Sequence, residues 1–215
     1  MKAIIIGATG AVGRTLVDIL LNDSRYETIN TFTRRPLGIE DEKLISHVVD
    51  FEKPETWSAL VKGDVLFSAL GTSLKQVGSK EAQYKIDHDM QLSFARAAWE
   101  NDVPHLVLVS SMGADSGSSY FYMKLKGIIE EDVEALHFPG LSILRPPSLI
   151  RPHAKRPMET ITVKVLQFLN TFGLFRSMAP VDVKDVAQKM ADIGARHFRR
   201  KEIYSGQEVK RHQRR

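Results

Sequence analysis

The segment SSYFYMKLKGIIEEDVEAL, residues 118–136, carries two tyrosine–lysine pairs at the spacing of one helical turn: Tyr120 with Lys124 and Tyr122 with Lys126. A lysine one turn from a tyrosine stabilises the phenolate, so the phenol can give a proton to a reacting oxygen or take one from it. The two pairs cannot both face the same site. At about 100° per residue, Leu125, Ile129, Val133 and Leu136 fall within about 60° of Tyr122, which places Tyr122 on the expected buried stripe and Lys126 at its border. Tyr120 and Lys124 point to the far side. The apolar run before this segment ends in LVSSMGA, where Ser110 or Ser111 can hydrogen-bond a carbonyl oxygen. Both serines are candidates.

A buried tyrosine beside a lysine is usually structural, and this pair gains weight from a second feature at the start of the chain. In IIIGATGAVGRTL, Gly7, Gly10 and Gly13 follow an apolar run and open the amphipathic stretch AVGRTLVDILL. The spacing is G-x-x-G-x-x-G, one residue different from the G-x-G-x-x-G dinucleotide fingerprint. The physics is shared: residues without a Cβ let the backbone turn tightly and approach a pyrophosphate, and the free N–H groups at Ala11, Val12 and Gly13 favour an anion. Thr9 can add a hydroxyl. The next expected strand ends in TINTFTRRP, with Arg34 and Arg35 where an acid would bind a ribose 2′-hydroxyl. Guanidinium groups pair with phosphate, so NADP(H) is favoured over NAD(H). Asp50 and Phe51 stand where an adenine edge and face would lie, and Ala69, Leu70, Gly71 and Thr72 line the expected cofactor path.

The elements that would hold these residues alternate along the chain. KAIIIGA, YETINTFTR, LISHVVD, DVLFSAL, HLVLVSS and LSILRP are expected strands, most of them separated by helical patterns. Nearly continuous Ile/Val/Leu runs suit parallel strands buried on both faces. The economical architecture is α/β, a Rossmann-type doubly wound parallel sheet in a single domain of 215 residues. Residues 146–180 break the rhythm and are expected to form a small substrate-side insertion, in which the apolar stretch ITVKVLQFLNTFGLF covers substrate or docks on a second subunit in a homodimer. Residues 205–215 belong to a basic, solvated tail.

Composition narrows the classes. With 43% hydrophobic and 26% charged residues the chain is of the globular type, and a net charge of +4 without interleaved stacking aromatics argues against nucleic acid. The absence of cysteine excludes disulfides and thiolate sites, and no apolar run is long enough for a bilayer. The default expectation is a cytoplasmic protein. Asp87, His88 and Asp89 are adjacent on an expected helix and point in different directions, so they are not expected to collect a metal.

Taken together, GATGAVG, TRRP, ALGTS, LVSSMGAD, YMKLKGIIE and ILRPPSLI resemble, in order and over nearly the whole chain, the short-chain dehydrogenase/reductase superfamily. More narrowly it looks like the short, atypical members related to the Tat-interacting protein. The resemblance implies NADP(H) binding, Tyr122 as proton donor or acceptor, Lys126 on the nicotinamide ribose and Ser111 near the substrate carbonyl. It also implies Pro146 and Pro147 near the nicotinamide end. The chain departs from the catalytic pattern in having SALG where many reductases have an N-A-G turn. The expected activity is hydride transfer between the nicotinamide and a small-molecule carbonyl or alcohol. A cofactor-binding sensor without turnover and a nucleotide-dependent epimerase or isomerase are the alternatives.

Overall fold

The isoleucine run near the start of the chain is buried on both sides. In the computed structural model, which describes residues 1–150, 179–196 and 200–210, strand β1 (Lys2–Ile6) lies in mid-sheet. Ala3 and Ile5 face one apolar cluster while Ile4 and Ile6 face another. A strand with alternate side chains in two cores needs apolar residues at every position, hence the continuous run.

The remaining strands are β2 (Thr28–Thr33), β3 (Leu44–Val48), β4 (Val65–Ser68), β5 (His105–Val109), β6 (Gly140–Arg145), the short β7 (Leu149–Ile150) and β8 (Val181–Asp182), and β9 (Lys201–Ser205). The main sheet has the order β3-β2-β1-β4-β5-β6-β9, and all its pairings are parallel. This is the doubly wound α/β sheet expected from the alternation. Strand order reverses between β1 and β4, and the crevice at that point, at the carboxyl ends of the strands, is where such sheets bind ligands.

Helix α1 (Ala11–Leu21) buries Val12, Leu16, Val17 and Leu20, and packs with the last helix, α6 (Val183–Gly194), on one face of the sheet. Each such side chain contributes roughly 1.5–3 kcal/mol of apolar burial. On the other face lie α4 (Gln91–Glu100) and α5 (Phe121–Glu134), around Phe94, Trp57 and the inner sides of β1, β4 and β5. Between β4 and α4 the chain makes two short helices, α2 (Leu74–Val77) and α3 (Lys80–Tyr84), and a π-helical turn, Lys85–Met90, that runs straight into α4.

The C-terminal stretch differs from its expected role as a solvated terminus. β9 pairs in parallel with β6 along the sheet edge, and Val209 beyond it is fully buried. Ser205 and Glu208 form a capping box, so at least residues 205–210 of the expected tail are docked on the domain. The segment KEIYS mixes charged and apolar side chains because an edge strand is half solvated, and that pattern hides it from periodicity. Residues 211–215 lie outside the described residues. So does the body of the expected insertion, 151–178, although β7 and β8 on either side of it pair with each other. Among the described residues no helix is long and apolar enough to cross a membrane.

Candidate functional site

The glycine turn sits at the strand-order switch. Gly7 has φ +81°, a left-handed conformation, and a Cβ built there would come within 2.4 Å of the Ala69 backbone. A side chain is therefore excluded twice, by conformation and by the end of β4 lying against the turn. The same contact places Ala69, whose N–H donates to the Ile6 carbonyl at 3.0 Å, beside the glycines. Gly13 lets α1 approach the turn, with its built Cβ 2.2 Å from the Gly7 oxygen. Gly10 is different: it is exposed, and a Cβ there meets little beyond the Gly7 oxygen at 3.3 Å.

Gly10 caps α1 without a side-chain hydrogen bond, and the first turn has no acidic residue. Thr9 and Ala11 are exposed, while the Val12 side chain is buried and leaves only its backbone for the crevice. An uncapped helix start with no carboxylate beside it, opened by a bare glycine, fits an anionic pyrophosphate. Arg34 and Arg35 are exposed directly after β2, and Thr33 Oγ1 donates to the Arg35 carbonyl at 2.7 Å. Arg14, on the first turn of α1, donates to the Leu37 carbonyl at 3.1 Å and so ties that turn to the arginine-bearing loop.

Beyond β3, Asp50 is exposed but Phe51 is buried, its ring 5.0 Å edge-on from Phe94, which stacks on Trp57 at 3.8 Å. Phe51 therefore has no free face for an adenine, because its ring completes the aromatic core under the crevice. Leu70 and Thr72 are partly buried, and Gly71 is exposed.

Under Gly71 lies a buried ion pair. Lys126 Nζ stands 3.4 Å from Asp87 Oδ2, and a Cβ at Gly71 would be 3.8 Å from both atoms. Lys126, expected at the border of the apolar stripe, is in fact buried. Tyr122 shows the opposite departure: with 37% of its surface exposed it overhangs the crevice, because the first turn of α5 extends past the core that buries Leu125, Ile129 and Val133. Its ring centroid is 5.8 Å from Lys126 Nζ. Tyr120 is more exposed still, as expected for the solvated pair.

The two serines are separated by their partners. Ser110 is buried and donates to Glu130, which is also paired with Arg145 through Nε contacts of 3.0 and 3.1 Å. The carboxylate beside Arg145 holds its guanidinium pKa above the usual value. Ser111 is only partly buried, and its hydroxyl has a long 3.4 Å contact to the Met112 carbonyl. Pro146 and Pro147 are buried where the chain leaves β6, and the Pro146 carbonyl accepts the Met112 N–H at 2.9 Å, joining that segment to the serine loop.

Glu130 and Arg145 were not singled out from sequence, and each has the composition of an ordinary helix or strand end. Asp87 was considered only with its neighbours. It turns away from them into the core, whereas the His88 ring sits between Asp89 at 2.8 Å and Asp132 at 2.7 Å. No metal-ligating cluster occurs among the described residues.

Protein FMP52-1, mitochondrial, of Scheffersomyces stipitis is 32% identical over 205 residues, spanning 92% of this chain and 90% of the relative. Protein FMP52, mitochondrial, of Candida albicans is 33% identical over 200 residues, spanning 90% and 87%. These names overturn the cytoplasmic expectation: a chain without cysteine fits cytosol and mitochondrion equally. Among solved structures, MoeE5 in complex with UDP-glucuronic acid and NAD matches with a TM-score of 0.73 at 16% identity, covering 96% of this chain and 76% of that one. The Bordetella bronchiseptica enzyme WbmH in complex with NAD+ matches at 0.72 and 13%, covering 95% and 75%. At such identity the likeness is one of fold, the Rossmann type expected from the motifs. The model of the NAD(P)H-binding family matches residues 7–193, the glycine turn through the last helix, and the chain belongs to that family.

Proposed function

We propose that the protein is an NADP(H)-dependent oxidoreductase in a mitochondrial setting, acting on a carbonyl or alcohol substrate with Tyr122 as the proton-exchanging group. The observation that carries this reading is the meeting at one point of the crevice of a buried ammonium, Lys126, an exposed phenol ring 5.8 Å from it, and the bare backbone of Gly71 above it. The turn at Thr9 and Gly10 and the N–H groups of Ala11, Val12 and Gly13 hold the pyrophosphate. Arg34 and Arg35 meet a 2′-phosphate, with no carboxylate at that strand end to repel it. The nucleotide continues past Ala69, Leu70, Gly71 and Thr72, with Lys126 on the ribose and Pro146 and Pro147 at the nicotinamide end.

Bound there, the nicotinamide supplies or accepts a hydride at the substrate carbon. Tyr122 gives its phenolic proton to the carbonyl oxygen in reduction and recovers it from the alcohol in oxidation, and the Lys126 ammonium favours the phenolate left behind. Ser111 is the better candidate to donate to the same oxygen, because the Ser110 hydroxyl is spent on Glu130.

Fluorescence titration with NADPH and NADH, for the wild type and for Arg34→Ala with Arg35→Ala, tests the cofactor assignment. Loss of charged hydrogen bonds to one phosphate is expected to weaken NADPH roughly ten- to a hundred-fold and leave NADH unchanged. A carbonyl screen with Tyr122→Phe as control then tests turnover. Binding of neither nucleotide would remove the reading, and tight NADPH binding without turnover would leave a sensor.

A further inference from the structure

The group left over once the crevice is described is Asp87. It is fully buried, carries a carboxylate, and reaches the site from the π-helical turn rather than from any element that bears a site motif. A π turn widens the helix by one residue and leaves backbone groups out of register. Here the Asp87 carbonyl is taken up by Gln91 Nε2 at 2.5 Å, and Gln91 Oε1 accepts from Ser68 Oγ at the end of β4 at 2.6 Å. The turn is thereby fixed to the strand, with the Asp87 side chain aimed under the crevice.

The two carboxylate oxygens have different tasks. Oδ1 accepts from the Thr72 N–H at 2.7 Å and from Thr72 Oγ1 at 2.9 Å. Oδ2 has no hydrogen-bond partner among the described residues and faces the Lys126 ammonium at 3.4 Å. Thr72 needs only a carbonyl-type acceptor, which asparagine would supply equally well. Lys126 alone needs the charge, since a buried ammonium without a counter-ion is costly. A buried ion pair is a poor stabiliser compared with apolar packing, so its place under an open glycine calls for another reason.

We propose that Asp87 is the positioning residue of this site: its carboxylate holds the Lys126 ammonium under Gly71 and, through Thr72, fixes the loop above it, so that lysine and loop meet the nucleotide's ribose as one rigid unit. The inference rests on the NADP(H) reading and deepens it. Asp87 touches neither nucleotide nor substrate; it acts through Lys126.

The test is a double-mutant cycle on NADPH affinity, read by fluorescence titration, with thermal unfolding of each protein recorded alongside. Asp87→Asn keeps the acceptor for Thr72 and removes only the charge, and is expected to weaken NADPH about ten-fold, the value of one charge-assisted contact. In the Lys126→Met background the same substitution is expected to change NADPH affinity by less than about two-fold, since the group it acts through is gone. Asp87→Glu keeps the charge one methylene away and is expected to fall between wild type and Asp87→Asn. Should Asp87→Asn fail to fold, Asp87→Glu in both Lys126 backgrounds carries the same coupling. Wild-type affinity in Asp87→Asn, or an equal loss with and without Lys126, overturns the inference while leaving the NADP(H) reading intact. A wild-type protein that binds neither nucleotide overturns both.

Discussion

Beneath the crevice, Lys126 faces Asp87 and Arg145 faces Glu130, with both carboxylates buried; at its rim, Arg34, Arg35 and Tyr122 are exposed and Ser111 is partly so. The floor groups answer one another, and each has a protein partner at short range. Among the described residues the rim groups are poor in partners, which leaves them available to a ligand. Charge in the floor therefore keeps the shape of the site, whereas charge at the rim is available to read what enters. Substitutions in the Arg145–Glu130 pair should register in stability and those at the rim in binding, while the Asp87–Lys126 pair, proposed to meet the ribose, should register in both.

The largest expected effect is in the floor. Arg145→Met leaves the Glu130 carboxylate buried beside Ser110 without its cation and should cost about 3 kcal/mol in urea unfolding, the low end for a broken buried pair because Arg145 is 28% exposed. Arg34→Ala with Arg35→Ala should move the same curve by less than about 0.5 kcal/mol, despite the loss of NADPH affinity expected of it. Comparable losses in the two experiments would break the distinction between floor and rim.

A buried group at the far end of β5 sharpens it by pH. Burial lowers the His105 pKa from 6.5 to about 4, so between those values the unfolded chain binds the extra proton and the folded one does not. The stability held by neutral His105 is complete above about pH 6.5 and is lost as pH falls towards 4, by roughly 3 kcal/mol in all. His105→Asn should flatten that part of the profile relative to wild type in unfolding measured from pH 7 to pH 4, and an unchanged difference across the range would mean that the imidazole titrates normally.

The smallest contrast lies between adjacent residues. Ser110→Ala removes a hydrogen bond to a buried carboxylate and should cost about 1–2 kcal/mol, while Ser111→Ala should stay within about 0.5 kcal/mol and reduce turnover instead. A reversal of the two would make Ser110 the candidate to donate to the substrate oxygen.

How far the site was legible follows the same division. The glycine turn, the arginines after β2 and the tyrosine–lysine pair were visible because each depends on spacing within one element and its flanking loop. Even there, helical periodicity gave the stripe of α5 and missed where the core beneath it ends, so Tyr122 emerged exposed and Lys126 buried. Phe51 stood at a plausible strand end, yet its ring was claimed by Phe94. The strand KEIYS escaped notice because its apolar partners come from β6, far away in the chain.

From the amino-acid order alone came the parallel sheet and the glycine turn at its start, because each is encoded by local periodicity or by missing Cβ atoms a few positions apart. The tertiary structure decided which serine is free, which carboxylate meets Lys126 and which aromatic ring is spent on the core. Those outcomes rest on desolvation and contact between segments such as Thr72, Asp87 and Lys126, whose distances in space bear no relation to their distances along the chain.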